Sequence, residues 1–215
     1  MIDLPDVPRW VEAHGIAADP THWREPLGAG FALGHDEAKL IVIAGEADPA
    51  AVMLVSRARP QHTLLFAAER VDIATSVDRK VERAILHTLD GEVPDLEGAT
   101  LLDEEVAVPS PLAEELAWAR KRGPVWAAYV DGVPVSFAYA PWRSAKYFDI
   151  SVDTLPDARQ LGLATIVAST MIRDERSRGR EPVWGADEHN LASLALAKRL
   201  GFTAVDECWV APCAR

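Results

Sequence analysis

The stretch that most constrains this chain runs from Lys146 to Phe202. Phe148, Ile150 and Val152 alternate with more polar neighbours, the period of a half-buried strand. Thr154-Leu155-Pro156-Asp157 turns the chain, and Ile166, Val167, Thr170 and Met171 then recur at helical spacing as far as Gly179. A second short strand is expected at Val183-Trp184-Gly185-Ala186, followed by a polar loop, Asp187-Glu188-His189-Asn190. The helix Leu191 to Leu200 ends at Gly201, which reads as a C′ glycine.

A strand that enters a helix through a turn with one glycine has a physical use. The first N–H groups of a helix have no partner inside it and carry the positive end of its dipole, so they favour an anion such as a diphosphate. Gly162 lets backbone approach that anion, and Ala164 keeps the same surface small.

Arg-x-x-Gly-x-Ala at 159 to 164 and Asn-x-Ala-Ser-x-x-Leu-Ala-x-Arg-Leu-Gly-Phe at 190 to 202, each after a strand, together resemble the GNAT superfamily of acyl-CoA-dependent N-acyltransferases. The resemblance covers about the last hundred residues. It implies an α/β (α+β) fold with a mixed, mostly antiparallel central sheet flanked by helices, over residues 109–215. Residues 1–108 then form an additional N-terminal α/β lobe, either a degenerate GNAT-like half or a lobe of independent origin.

The same resemblance implies acetyl-CoA, or another coenzyme A thioester, as cofactor. The strands at 147 to 153 and 183 to 187 would splay into a wedge, where backbone groups of Ile150, Ser151 and Val152 pair with the pantetheine amides. The diphosphate would meet the N–H groups around Arg159, Gln160, Leu161, Gly162, Leu163, Ala164 and Thr165. Arg159 serves there by charge or through its backbone alone. Asn190 is read as a helix N-cap, a cofactor ligand, or both, and Ser193 as a cofactor ligand or a first-turn hydrogen bonder.

Acyl transfer from a thioester to an amine needs a base for the amine and an acid for the leaving thiolate. Many family members carry a tyrosine for the second role four residues before the glycine of Gly-Phe, but this chain has Ala197 there. Ser193, Tyr147 or a water stand as substitutes, and Asp149, Glu188 and His189 as candidate bases. The expected activity is N-acylation of a primary amine on a small molecule or peptide. The alternative is a module that binds or senses acyl-CoA without transferring it.

Composition bounds the partners. Of 215 residues, 49% are hydrophobic and 26% charged, as in globular domains, and the net charge of −11 argues against nucleic acid. No apolar run reaches a membrane span, and the start Met1-Ile2-Asp3-Leu4-Pro5-Asp6 lacks a basic region followed by an apolar one, so a cytoplasmic location is expected. Cys208 and Cys213 fit neither a redox pair nor a zinc site, and the six histidines have no ligand spacing, so no metal is expected. A monomer and a homodimer are both compatible with these features.

Upstream, a short helix is expected near Trp10 to His14, strands at Leu40–Ala44 and Thr63–Ala67, and a helix between them capped by Asp48 with Pro49 at N1. Gly28, Gly30 and Gly34 do not follow a buried strand and are spaced too widely for a dinucleotide fingerprint, which leaves a flexible turn. Val77, Val81, Ile85 and Leu89 share a helical face behind Ser76, predicting a helix to Asp90-Gly91. A strand is expected within 96 to 108, and a helix from Pro109-Ser110-Pro111 to Arg122. The clearest hairpin joins Val125–Val130 to Val133–Tyr139 through Asp131-Gly132, and the strand at 146 to 152 extends its sheet.

Overall fold

The computed structural model describes residues 3–108 and 110–213. The chain forms two compact units, one of residues 1–86, 185–191 and 204–215, the other of 87–184 and 192–203. The architecture is mixed α/β, with mostly antiparallel strands flanked by helices.

The first unit opens with a 3₁₀ turn, Pro8–Trp10, and helix α1, Val11–Ala18. Strand β1, Trp23–His35, pairs antiparallel with β2, Leu40–Ala47, and β2 runs parallel to β3, Thr63–Ala67. Helix α2, Pro49–Ala58, makes the crossover. Asp48 caps it as expected, its Oδ1 accepting the Ala50 N–H at 3.0 Å with Pro49 behind. At the other end of α2 the Arg79 guanidinium donates to the carbonyls of Ser56, Arg59 and His62, filling positions that a helix C-terminus leaves open. Helix α3, Val71–Ala74, follows β3. Strand β11, Thr203–Ala211, pairs antiparallel with β3 and neighbours β4, Glu82–Thr88. Leu27, Ile41, Val52, Leu64, Phe66 and Ile73 form the core of this unit.

Two expectations fail here for physical reasons. The glycines of 28 to 34 lie in a thirteen-residue strand, not a flexible turn. A Cβ on Gly30 would come within 2.5 Å of the Ala44 carbonyl, and one on Gly34 would strike the Trp23 ring. These glycines serve close approach of backbone and ring within a sheet. The helix expected from Ser76 to Gly91 is β4 instead, where Ala84 and Leu86 alternate inward. Ser76 donates to the Ile73 carbonyl at 2.7 Å and finishes α3. Val77 and Leu89 are buried outside the strand, so their helical spacing with Val81 and Ile85 is coincidental.

In the second unit, β5 (Ala99–Leu101), β6 (Val125–Val130), β7 (Val133–Tyr139) and β9 (Ser151–Thr154) form an antiparallel sheet in that order. Asp131 and Gly132, both at positive φ, join β6 to β7 as that dipeptide predicts. Helix α4, Ala113–Arg122, covers one face over Leu116, Val125, Ala127, Phe137 and Tyr139. A 3₁₀ turn, Ser110–Leu112, precedes it, and Pro109, expected to open that helix, lies outside the described residues, as do Met1 and Ile2. Helix α5, Leu163–Ser177, packs against β6, β7 and β9. Glu175, almost fully buried on α5, is held by Arg143 at 2.7 Å and Arg180 at 2.8 Å.

The segment expected to extend the hairpin sheet divides. Its first part, β8 (Tyr147–Asp149), runs parallel to β10, Glu181–Asp187, while β9 alone joins the hairpin. Helix α6, Leu191–Leu200, follows β10. It ends in a Schellman motif: the Gly201 N–H donates to Lys198 and the Phe202 N–H to Ala197, with Gly201 at φ +94°.

Candidate active site

The strand that changes partners organises the site. Tyr147, Phe148 and Asp149 stand opposite Glu181, Pro182 and Val183, and the Ile150 N–H donates to the Val183 carbonyl at 3.1 Å. The next four residues pair only with β7, which leaves β9 at a sheet edge. The Leu155 N–H donates to its direct opposite, Val135, at 2.8 Å, which fixes the phase of the ladder. Ser151 and Asp153 therefore bond β7, and the N–H and C=O of Val152 point to the open side, as those of Ile150 and Thr154 do. Backbone with unused donors and acceptors along an edge is a template for an extended ligand.

Beyond β9 the chain turns back and enters α5. The Arg159 Nε donates to the Thr154 carbonyl at 3.3 Å, tying the turn to the end of the strand. Gln160 at φ +65° and Gly162 at φ +80° put two left-handed residues on either side of Leu161. A non-glycine residue there is strained, a feature that gathers at ligand-binding loops. Gly162 holds the N-cap position of α5 with no side-chain cap, and nothing lies within 4 Å of where its Cβ would be. The Thr165 and Ile166 N–H groups both turn back to the Gly162 carbonyl. The helix thus begins as an exposed set of backbone donors with open space in front.

Ser193 lies in the first turn of α6, and its Oγ accepts the Trp184 indole N–H at 2.9 Å. Trp184 is buried and meets the Phe202 ring edge-on, centroids 5.4 Å apart. This serine is therefore held by an aromatic pair, a constraint its sequence position alone does not reveal. Ala197, where many family members have tyrosine, is fully buried.

A cluster that sequence reasoning missed stands on the α4 face. The Tyr139 hydroxyl lies 2.5 Å from Glu115 Oε1 and 3.0 Å from Asp153 Oδ2, and the tyrosine is buried. Burial, and then the charge of Glu115, raises the Asp153 carboxyl above its ordinary range; burial and the two carboxyls push the Tyr139 phenol well up. The only hint in the sequence is that Asp149, Ser151 and Asp153 alternate along one strand; nothing links them to Glu115 on a helix far upstream.

The remaining candidates sit elsewhere. Asp149 ends β8, its N–H donating to the Trp142 carbonyl at 3.0 Å. Glu188 and Asn190 belong to the first unit. Glu188 pairs with Arg83 at 3.1 Å and also takes the Arg83 carbonyl through its own N–H. The loop before α6 is fixed by Asp187, whose carboxylate accepts the His189 N–H at 2.6 Å and whose carbonyl accepts that of Asn190. Among the described residues no group of three or more His, Cys, Asp or Glu could hold a metal ion, and no helix is long and apolar enough to cross a membrane.

Residues 119–210 match the model of the GNAT acetyltransferase family. No curated protein matches the sequence. Among solved structures the fold is similar to a putative GNAT acetyltransferase from Novosphingobium aromaticivorans, with TM-score 0.68, 18% identity and 98% of each chain covered. It is also similar to a GCN5-related N-acetyltransferase from Kribbella flavida, with TM-score 0.63, 17% identity, 96% of this chain and 95% of the other. A tandem GNAT protein from the clavulanic acid biosynthesis pathway aligns with TM-score 0.54 and 14% identity over 96% and 94% of the two chains. These structures share the fold, and the segment from Ala119 to Val210 matches the GNAT acetyltransferase family model.

Proposed function

We propose that this chain is an acyl-CoA-dependent N-acyltransferase, moving an acetyl or other acyl group from coenzyme A to a primary amine of a small molecule or peptide. The observation that carries this reading is the open edge at Val152 followed directly by the uncapped, glycine-led start of α5. The two features suit the two ends of one ligand. The Val152 N–H and C=O are suited to pair with pantetheine amides, and the amides of Gly162, Leu163 and Ala164 with the diphosphate. Arg159 and Gln160 shape the turn, and Leu161 and Thr165 flank the same helix start.

Coenzyme A supplies an activated thioester. The chain's own residues have to hold it, exclude water and manage two protons. We assign Asp149, at the end of β8, as the base that relieves the ammonium of its proton. Ser193 is the donor toward the leaving sulfur: its Oγ accepts the Trp184 indole N–H, which holds the side chain in one orientation. Glu188 is the weaker base candidate because Arg83 already engages it. Asn190, before α6, is kept as a cofactor contact.

The N-terminal segment supports one cofactor site per chain. There β2 stays paired with β3 over four registers, and α2 begins with Pro49, which has no N–H, and with Asp48, whose carboxylate already occupies the Ala50 N–H. A negative charge at that helix start opposes a second diphosphate. We propose 109–215 as the acyltransferase part and 1–108 as a lobe without its own cofactor.

A second reading, acyl-CoA binding without transfer, is favoured by the buried Ala197, which replaces a proton donor with a methyl group. Release of free CoA thiol from acetyl-CoA across a panel of primary amines decides between them. Turnover with any amine supports the transferase; tight binding with no thiol release supports the sensor; no binding overturns both.

A further inference from the structure

The Glu115, Tyr139 and Asp153 cluster holds more acceptors than its visible protons can serve. The phenol has one hydrogen, yet its oxygen is in hydrogen-bond contact with two carboxyl oxygens, at 2.5 and 3.0 Å. With both carboxyls ionised, one of those contacts would set two lone pairs against each other in a buried place. A second proton removes the conflict. Asp153 is the more enclosed partner, while Glu115 is solvent-exposed.

We propose that Asp153 carries a proton at neutral pH, donating to Tyr139, which donates to an ionised Glu115, and that this chain of hydrogen bonds is a latch fastening α4 to β9. The latch bears on function because Asp153 follows Val152 directly, so the strand that presents the open edge is the strand it fastens. This last step rests on the acyl-CoA reading above; the proton itself does not. No covalent step is involved. Loss of the proton at alkaline pH places two negative charges around one phenol and releases β9 from α4.

The groups that face the cluster are few. Glu115 comes from α4, Asp153 from β9, and Tyr129 from β6 packs against the apolar cluster that includes Tyr139. The influences on Asp153 are burial, Glu115 and Tyr139, with no cation among them. Within that set only the Tyr139 hydrogen bond favours the ionised form, and burial and Glu115 outweigh it.

Two measurements on the full chain test the proposal. Infrared difference spectra at neutral pH, wild type against Asp153→Asn, should show the carbonyl band of an un-ionised carboxyl, lost in the variant; Glu115→Gln, an exposed change, should shift the loss of that band to a different pH in the otherwise wild-type chain. Acetyl-CoA affinity, followed by calorimetry from pH 7 to 9, should weaken by up to about tenfold per pH unit where one proton is coupled, and by less than about twofold in Asp153→Asn. A missing band overturns the proton. A present band with parallel affinity profiles overturns the coupling to β9. No acetyl-CoA binding at any pH, with the band present, overturns the acyl-CoA reading and with it the coupling, and leaves the proton established. If Asp153→Asn fails to fold, Tyr139→Phe, which removes the acceptor of the Asp153 proton, should keep the band at neutral pH and shift its frequency; an unshifted band overturns the hydrogen bond to Tyr139.

Discussion

Ile150 gives its backbone N–H to Val183, and the corresponding group of Val152, two residues on, points to an edge with no strand opposite. The bonds that hold β9 in its sheet belong to Ser151 and Asp153 instead. Val152→Pro therefore removes a donor from the open edge without removing a ladder bond, at an edge position where proline is tolerated. Acetyl-CoA affinity should fall about tenfold, the order of one well-made hydrogen bond, with the circular dichroism spectrum unchanged. Unchanged affinity with an intact fold would remove the edge from the site.

Gly162 has open space in front of it but a left-handed backbone. Gly162→Ala costs only the strain of that conformation, about 1 kcal/mol, and should reduce acetyl-CoA affinity modestly. Gly162→Glu adds negative charge where we propose the diphosphate binds and should abolish binding with a similar loss of stability. Isothermal titration of both variants separates strain from charge.

Ser193 and Trp184 should behave as donor and support. Ser193→Ala is expected to lower kcat by about 10²-fold with KM for acetyl-CoA little changed. Trp184→Phe keeps an aromatic ring against Phe202 but loses the indole N–H and part of the buried ring, so a kcat loss of about tenfold with some loss of stability is expected. Equal kcat in Ser193→Ala and wild type would assign the proton to another group.

One cofactor per chain is the expected calorimetric stoichiometry. Replacing the carboxylate with Asp48→Asn should leave that stoichiometry at one, because β2 and β3 remain paired beside the helix. Two sites in the wild type would contradict the role assigned to residues 1–108.

Glu175 and Asp19 contribute to stability toward acid. Although burial favours its neutral form, Arg143 and Arg180 hold the Glu175 carboxyl below its ordinary range. A hydrogen bond from the Thr21 hydroxyl holds Asp19 well below it too. Each folded value lies under the unfolded one, so their stabilisation is present above the ordinary carboxylate range and disappears as pH falls through the folded values. Asp153 has the opposite sign: its stabilisation is present at low pH and is lost as pH rises through its raised value. Glu175→Gln leaves two guanidinium groups poorly paired and should cost about 3–5 kcal/mol, lowering the melting temperature by about 10 °C at neutral pH. Thermal melts from pH 3 to 9 on wild type and variant would show the acid slope reduced in Glu175→Gln.

Much of the second unit was legible because its signals are local. Asp131-Gly132 fixes a turn, Gly201 a helix end, and the alternation from Tyr147 to Val152 a strand. What was not legible depends on distant partners. Gly30 and Gly34 look like loop residues until Ala44 and Trp23 are found against them. The fourfold spacing of Val77, Val81, Ile85 and Leu89 imitates a helix, and only the neighbouring strands select the alternation of Ala84 and Leu86. The division of 147 to 154 between two partners has no local sign either. Gly162 could be read as the start of a helix from the letters around it, and it holds that N-cap position, whereas Glu115 needed the helix laid over the sheet to reach Tyr139 and Asp153.

Trp184 and Phe202 clasp each other while Ser193 lies between them in the chain. The intervening residues are thereby closed into a ring of fixed circumference. A residue inserted in α6 between Ser193 and Phe202 would turn the serine by about 100° relative to that ring, so natural relatives that lengthen the helix should also have moved the hydroxyl, or dispensed with it.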